Sequence, residues 1–149
     1  MEARTSLVDF IRNDLGFTGS HVGCEQGACG ACNIEVDGVM VRGCLMLAVQ
    51  ANGATVNTIE SLSATEEGVA LGDAFVRHNA LQCGFCTPGM LASSIEYVRS
   101  GGTCDRQQVR EHLSGNYCRC TGYQAIVDAV CEVTAGVTAG GKTSDGASS

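Results

Sequence analysis

Ten of the 149 residues are cysteine, and eight of the ten fall into two sets whose spacing suits metal binding. The first set is Cys24, Cys29 and Cys32 in one loop, with Cys44 further on. Cys-x4-Cys-x2-Cys followed by a more distant Cys is the plant-type [2Fe–2S] spacing, in which a tight loop places three thiolates and a nearby strand end supplies the fourth. Gly23, Gly27 and Gly30 interrupt this loop, and glycine lets backbone N–H groups approach sulfur closely. Zinc favours paired knuckles and suits the set poorly. The second set is Cys83-x2-Cys86 with Cys118-x-Cys120. Two close pairs could hold zinc or an iron–sulfur core, and spacing alone leaves both open. Each pair lies directly ahead of an expected helix start, at Thr87 and at Thr121. Two positive helix ends suit a core that gains negative charge on reduction more than a zinc ion of fixed charge.

Cys104 and Cys131 are left over and read as free thiols with a packing role. His21, His78 and His112 read as structural, because eight cysteines already close two sites, whereas a Rieske centre would replace two of them by histidine.

The elements that must position these sulfurs follow from periodicity. Thr5 to Leu15 has helical spacing and Gly16 stops it. Ile34–Val36 and Val39–Val41 flank Asp37-Gly38, a hairpin signal. Ala54 to Ile59 reads as a further strand and Glu60 to Gly68 as a connector. Beyond it the pattern turns helical: Gly68–Asn79, then a helix capped by Thr87 with Pro88 at its first position and ending near Ser100. A helix capped by Asp105 reaches Leu113, and one capped by Thr121 reaches about Ala135. Four helices on short loops suggest a bundle. The expected division is a mixed α+β domain over 1–62, a helical domain over 63–135 and a disordered Gly/Ser/Thr-rich tail over 136–149.

At this length each half would have only a marginal hydrophobic core, so metals are expected to support both. No signal-peptide pattern leads the chain and no apolar stretch approaches bilayer-spanning length, so the reading is cytoplasmic, with metal favoured over disulfides. A net charge of −7 argues against nucleic acid as a partner. Eight thiolates around two cores would take the chain to about −11, which calls for positive backbone dipoles near the metals.

Three segments carry a family resemblance: Gly23-Cys24-Glu25-Gln26-Gly27-Ala28-Cys29-Gly30-Ala31-Cys32, Leu81-Gln82-Cys83-Gly84-Phe85-Cys86-Thr87-Pro88-Gly89 and Asn116-Tyr117-Cys118-Arg119-Cys120-Thr121-Gly122-Tyr123. Together they resemble the small iron–sulfur subunit of the molybdenum hydroxylases, the xanthine dehydrogenase and aerobic carbon monoxide dehydrogenase family, over about Thr5 to Val133. The resemblance implies a β-grasp ferredoxin domain followed by a four-helix domain, each with one [2Fe–2S] cluster. Cys24, Cys29, Cys32 and Cys44 would hold the cluster on the flavin side, and Cys83, Cys86, Cys118 and Cys120 the one on the molybdenum side. It implies a large partner subunit with molybdopterin and a medium one with FAD, in a dimer of heterotrimers, with Gln82 and Cys120 touching the pterin. Family members begin with a β-hairpin ahead of the segment matching Glu2–Thr5, so the sheet is expected to lack one strand and most of another.

The expected function is electron relay between molybdopterin and FAD, with no direct substrate binding and no catalytic acid or base on this chain. Rival readings are a free ferredoxin with a zinc-stabilised helical domain, a nucleic-acid-binding regulator, and a module whose metals only hold the fold. The acidic balance and the single Lys142 count against the regulator.

Overall fold

Ser6 starts the first helix by accepting the Asp9 N–H at 3.2 Å; the computed structural model describes residues 2–140. Helix α1 (Leu7–Asp9) runs on as a wider π-helical turn, Phe10–Asp14, in which the Leu15 N–H reaches the Phe10 carbonyl at 3.1 Å. Gly16, at φ 79°, turns the chain. Arg12 then ties the next segment back, donating to the Thr18 and Ser20 carbonyls at 2.7 and 2.6 Å. The expected helix is present, with its second half wound wider.

Strands β1 (Asn33–Val36) and β2 (Val39–Arg42) pair antiparallel from Asn33↔Arg42 to Val36↔Val39. Asp37 and Gly38 between them sit at φ 49° and 81°, the paired positive angles of the expected tight turn. A 3-10 turn, Ala48–Ala51, leads to β3 (Val56–Asn57), which pairs with the other side of β1 to give the order β2-β1-β3. This third strand is shorter than expected, because the connector winds into a short helix, α2 (Ile59–Leu62). Leu7, Val8 and Ile11 pack on Cys32, Ile34 and Val36 to make a small core. An apolar groove of about 430 Å³ lies between Phe10, Leu15 and Phe17 and the Ala51–Val56 side. No cysteine or histidine lines it.

Four helices follow. α3 (Glu66–Arg77) is capped by Thr65, which accepts the Gly68 N–H at 3.2 Å. α4 (Thr87–Arg99) packs on α3, and α5 (Arg106–His112) is capped by Asp105 through the Gln107 and Gln108 N–H groups. α6 (Gln124–Gly140) packs on α3 and α5. Leu71, Phe75, Met90, Ile95, Val109, Leu113, Ile126, Val127 and Val130 are all buried to within 1 % exposure. Burying such a side chain is worth about 1.5–3 kcal/mol, so this second core carries far more stabilisation than the first. Two helix starts differ from expectation. Thr87 is the first residue of α4 rather than its cap, the cap position being Cys86. α6 starts at Gln124 rather than after Thr121, because Gly122 and Tyr123 hold φ 66° and 68° and cannot join a right-handed helix. α6 also takes in residues to Gly140 that the expected tail began with; 141–149 lie outside the described residues.

The two halves meet in a buried polar junction. Asn33 on β1 donates to Ser93 on α4 at 2.6 Å, and Ser93 donates to the Asn116 side-chain oxygen at 3.0 Å. Asn116 in turn donates to the Gly89 and Gly30 carbonyls at 3.0 and 3.4 Å. Arg42 spans the same seam, bonding Asn33, the Gly115 carbonyl at 2.7 Å and the Gly27 carbonyl at 3.3 Å. Glycine is required at the seam: a Cβ on Gly89 would lie 2.1 Å from the Gly30 carbonyl oxygen.

Candidate metal centres

The loop from Gly23 to Cys32 holds its first three sulfurs by backbone geometry. Glu25, Gly27 and Gly30 take positive φ of 54°, 78° and 74°, which turns successive N–H groups inward. The Cys29 N–H donates to the Cys24 sulfur at 3.4 Å. The Gln26 N–H, that of Cys29, and more weakly that of Ala28 bring the Cys24 thiol down to about 6, against a smaller opposing effect of burial. Cys44 reaches the site from the turn after β2, where the Gly43 N–H donates to the Cys32 carbonyl at 3.0 Å. Cys32 is 2 % exposed. Burial, with the adjoining Cys44 and Cys29 thiols, pushes it up to about 11.

The second set sits at the start of α4 and in the turn before α6. The Cys83 and Cys120 sulfurs are 3.5 Å apart and exposed. Cys86 and Cys118 lie deeper, and burial together with the neighbouring Cys118 pushes the Cys86 thiol up to about 12. Burial also acts on Cys118, but hydrogen bonds from Thr121 and from the Cys120 N–H outweigh it and hold that thiol below its ordinary value. The Thr121 hydroxyl is 3.1 Å from the Cys118 sulfur. Tyr123 fixes the turn from its other side: its hydroxyl accepts the Cys118 N–H and donates to the Asn116 carbonyl, both at 2.9 Å.

All eight sulfurs therefore fall into four close pairs: Cys24 with Cys29, Cys32 with Cys44, Cys83 with Cys120, and Cys86 with Cys118. A binuclear core needs two thiolates on each of two irons. Two pairs per site, with N–H and O–H groups aimed at the sulfurs, fit that need. No three His, Cys, Asp or Glu side chains among the described residues converge on a single-ion position. The sites are also linked: the Tyr117 N–H donates to the Cys29 carbonyl at 2.8 Å, so one hydrogen bond joins a residue of the first set to the neighbour of Cys118. His21 bonds the Phe85 carbonyl at 2.7 Å and stacks on the Phe85 ring. His78 meets Glu132 at 2.5 Å, and His112 the Ser93 carbonyl at 3.0 Å.

Asn33, Arg42, Ser93 and Asn116 were not singled out by sequence reasoning. The only trace of them is Asn116, which opens the third family-like segment. Gln82 is exposed and adjoins Cys83 in sequence.

Comparison with known proteins agrees with the sulfur pattern. Residues 1–58 match the 2Fe-2S iron-sulfur cluster binding domain and residues 58–131 the [2Fe-2S] binding domain. The nicotine 6-hydroxylase small subunit of Paenarthrobacter nicotinovorans is 50 % identical over 134 residues, covering 89 % of this chain and 79 % of that one. The chain belongs to the small iron–sulfur subunits of the molybdenum hydroxylases. Within that family, caffeine dehydrogenase subunit gamma of Pseudomonas sp. (strain CBB1) is 47 % identical over 90 % of this chain and 82 % of its own length. The crystal structure of quinoline 2-oxidoreductase from Pseudomonas putida 86 superposes with a TM-score of 0.86 at 48 % identity, covering 94 % of this chain and 88 % of the matched one. As a family member the chain is a non-catalytic subunit of an oxidoreductase complex with two [2Fe–2S]-binding domains. Among the described residues no helix is long and apolar enough to cross a membrane.

Proposed function

We propose that the chain relays single electrons from a molybdopterin site in a large partner subunit to FAD in a medium one, within a dimer of heterotrimers. The grouping of eight sulfurs into four pairs carries this reading. Cys24, Cys29, Cys32 and Cys44 would hold one [2Fe–2S] cluster and Cys83, Cys86, Cys118 and Cys120 the other. Each bound cluster supplies a carrier for one electron at a time. The rest is the work of the chain itself. Cys32 and its apolar neighbours shield the first site from water. The α4 N-terminus, with Cys86 at its cap position, offers a positive end to added negative charge. Thr121 and the loop N–H groups stabilise thiolates directly.

The exposed pair Cys83 and Cys120, with Gln82 beside it, would face the pterin, and its exposure supports that reading. Leu81, Phe85 and Tyr117, 37 %, 49 % and 59 % exposed, flank these cysteines in sequence and give the partner an apolar surface to cover. The first site would face the flavin. On this reading the first half is a β-grasp domain and the four helices form a bundle domain. Nicotine, caffeine and quinoline, after which the similar proteins are named, are nitrogen heterocycles; the proposed holoenzyme oxidises that class, in a pocket outside this chain.

Purified protein should hold about four irons per chain and, when reduced, give two distinct paramagnetic signals. Cys120→Ser should impair the second signal and leave the first intact. Equal damage to both, or one signal in the parent protein, would contradict two independent sites. Zinc in place of half the iron would favour the free-ferredoxin reading. Assay of the complex against nitrogen heterocycles and aldehydes tests the substrate class.

A further inference from the structure

Cys104 and Cys131 belong to neither sulfur set, yet the fold brings them together. Cys104 is exposed in the turn between α4 and α5, and Cys131 is 6 % exposed on α6. The turn is pinned to α4: Tyr97 donates to the Thr103 carbonyl at 2.8 Å, and Gly102 lies so close under the Tyr97 ring that a Cβ would come within 2.4 Å of it. Gly101, at φ 78°, sets the direction. On the far side Arg106 bonds Asp128. Asp128 and Cys131 are three residues apart on α6 and share a face, so this ion pair draws the turn onto Cys131. The two thiols are neighbours there, and burial followed by the adjoining Cys104 raises Cys131 to about 11. Of the charged groups, Arg106 works to lower the Cys131 thiol and Asp128 to raise it.

We propose that Cys104 and Cys131 form a reversible intrachain disulfide, with hydrogen peroxide as oxidant, Cys104 the sulfur first oxidised and Cys131 the resolving thiol. The Cys104 thiolate attacks peroxide: an S–O bond forms, the O–O bond breaks, and hydroxide leaves with the thiol proton as water. Cys131 then attacks the Cys104 sulfenic acid. The S–S bond forms, the S–O bond breaks, and the Cys131 proton leaves with the hydroxyl as a second water. Two thiols have given two electrons to one peroxide. A dithiol reductant reverses the bridge by exchange. Exposure suits Cys104 to the first step, and burial against it suits Cys131 to the second.

The bridge encloses residues 104–131, and Cys118 and Cys120 fall inside that loop. It therefore ties down the segment carrying half of the second site, a consequence that rests on the proposed ligand set. Closing a loop in this way restricts the unfolded chain, so the second site should release iron more slowly once the bridge has formed.

The test uses the purified complex, treated with hydrogen peroxide and sampled while its iron–sulfur absorbance is unchanged. Free thiols are blocked with N-ethylmaleimide and the unreduced peptides are mapped by mass spectrometry. A Cys104–Cys131 linked peptide, lost on adding dithiothreitol and absent from Cys104→Ser, is expected. Cys104 as sulfinic or sulfonic acid with Cys131 still open to maleimide after denaturation would overturn the proposal, as would a bridge from Cys104 to any other cysteine. Linked peptide in a protein with only one paramagnetic signal would uphold the bridge and sink the two-cluster reading, so the two fail separately. Since Cys104 is exposed, its serine variant should fold and retain both iron signals.

Discussion

At the scale of single residues, Thr121 makes the sharpest case for a side chain that would tune the proposed second site without ligating it. Its hydroxyl lies 3.1 Å from the Cys118 sulfur and also accepts the Tyr123 N–H at 3.2 Å, so its orientation is fixed. A donor to a ligating sulfur stabilises the more negative, reduced state. Thr121→Val should therefore shift the second-site midpoint potential negative, on the order of tens of millivolts, with the first-site potential unchanged in a spectroscopic redox titration. The thiols give a pH prediction. Cys32 and Cys86, raised to about 11 and about 12, hold protons at neutral pH that binding must displace. Proton release makes assembly more favourable as pH rises, so anaerobic reconstitution with iron and sulfide should become more complete from about pH 6.5 to 8.5, below both raised values. Cys24, at about 6, is largely ionised across that range and adds little to the slope. A flat profile at both sites would contradict the assignment. The cysteines were legible in the sequence because ligand spacing is a local signal. Asn33, Ser93 and Asn116 were not, because each bonds a partner far along the chain and polar residues have no period that announces such a meeting.

At the scale of elements, the hairpin at Asp37-Gly38 and the Asp105 cap were readable because each rests on a local bond or angle that residue type dictates. The start of α6 was not. Thr121 looks like a cap, but its hydroxyl serves Cys118 and Tyr123, and the left-handed Gly122 and Tyr123 delay the helix to Gln124. The dipole argument made for both cysteine pairs thus holds for Cys86 at the start of α4, while the other pair relies on the Thr121 hydroxyl instead. α2 escaped notice because four residues carry no helical period. The close seating of α4 on the first cysteine loop gives a prediction at this scale. Gly89 lies in the first turn of α4, and a Cβ there would stand 2.1 Å from the Gly30 carbonyl oxygen and 3.1 Å from the Ala31 Cα. These are backbone atoms and cannot swing aside as a flexible side chain would. Gly89→Ala should destabilise the protein by about 1–3 kcal/mol, read as a lower denaturant midpoint. Gly72→Ala, with nothing within 4 Å of its added Cβ, is the control and should hold or raise stability.

At the scale of the whole molecule, the question is whether two cluster-bearing halves fold as one. The first half has a core of six side chains, Leu7, Val8, Ile11, Cys32, Ile34 and Val36, against a much larger helical core. Alone it is a marginal domain. What joins it to the helices is largely polar: the Asn33–Ser93–Asn116 chain, Arg42 across the seam, and the Glu35–Arg99 ion pair at 3.0 Å. Asn116 is 3 % exposed and serves the Ser93 hydroxyl and the carbonyls of both Gly30 and Gly89. Asn116→Ala leaves those buried groups without their partner, at a cost of about 1–3 kcal/mol. If the junction makes the halves one cooperative unit, both paramagnetic signals should disappear at the same, lowered denaturant concentration, although Asn116 lies outside both proposed ligand sets. If the halves unfold independently, the helical half should follow the Asn116 change while the other keeps its own midpoint. Coincidence of the two curves is expected, because the small core cannot hold the Cys24–Cys44 loop once α4 leaves it. Two separated curves in the parent protein would show that the metal at the first site, and not the helical half, keeps that loop folded.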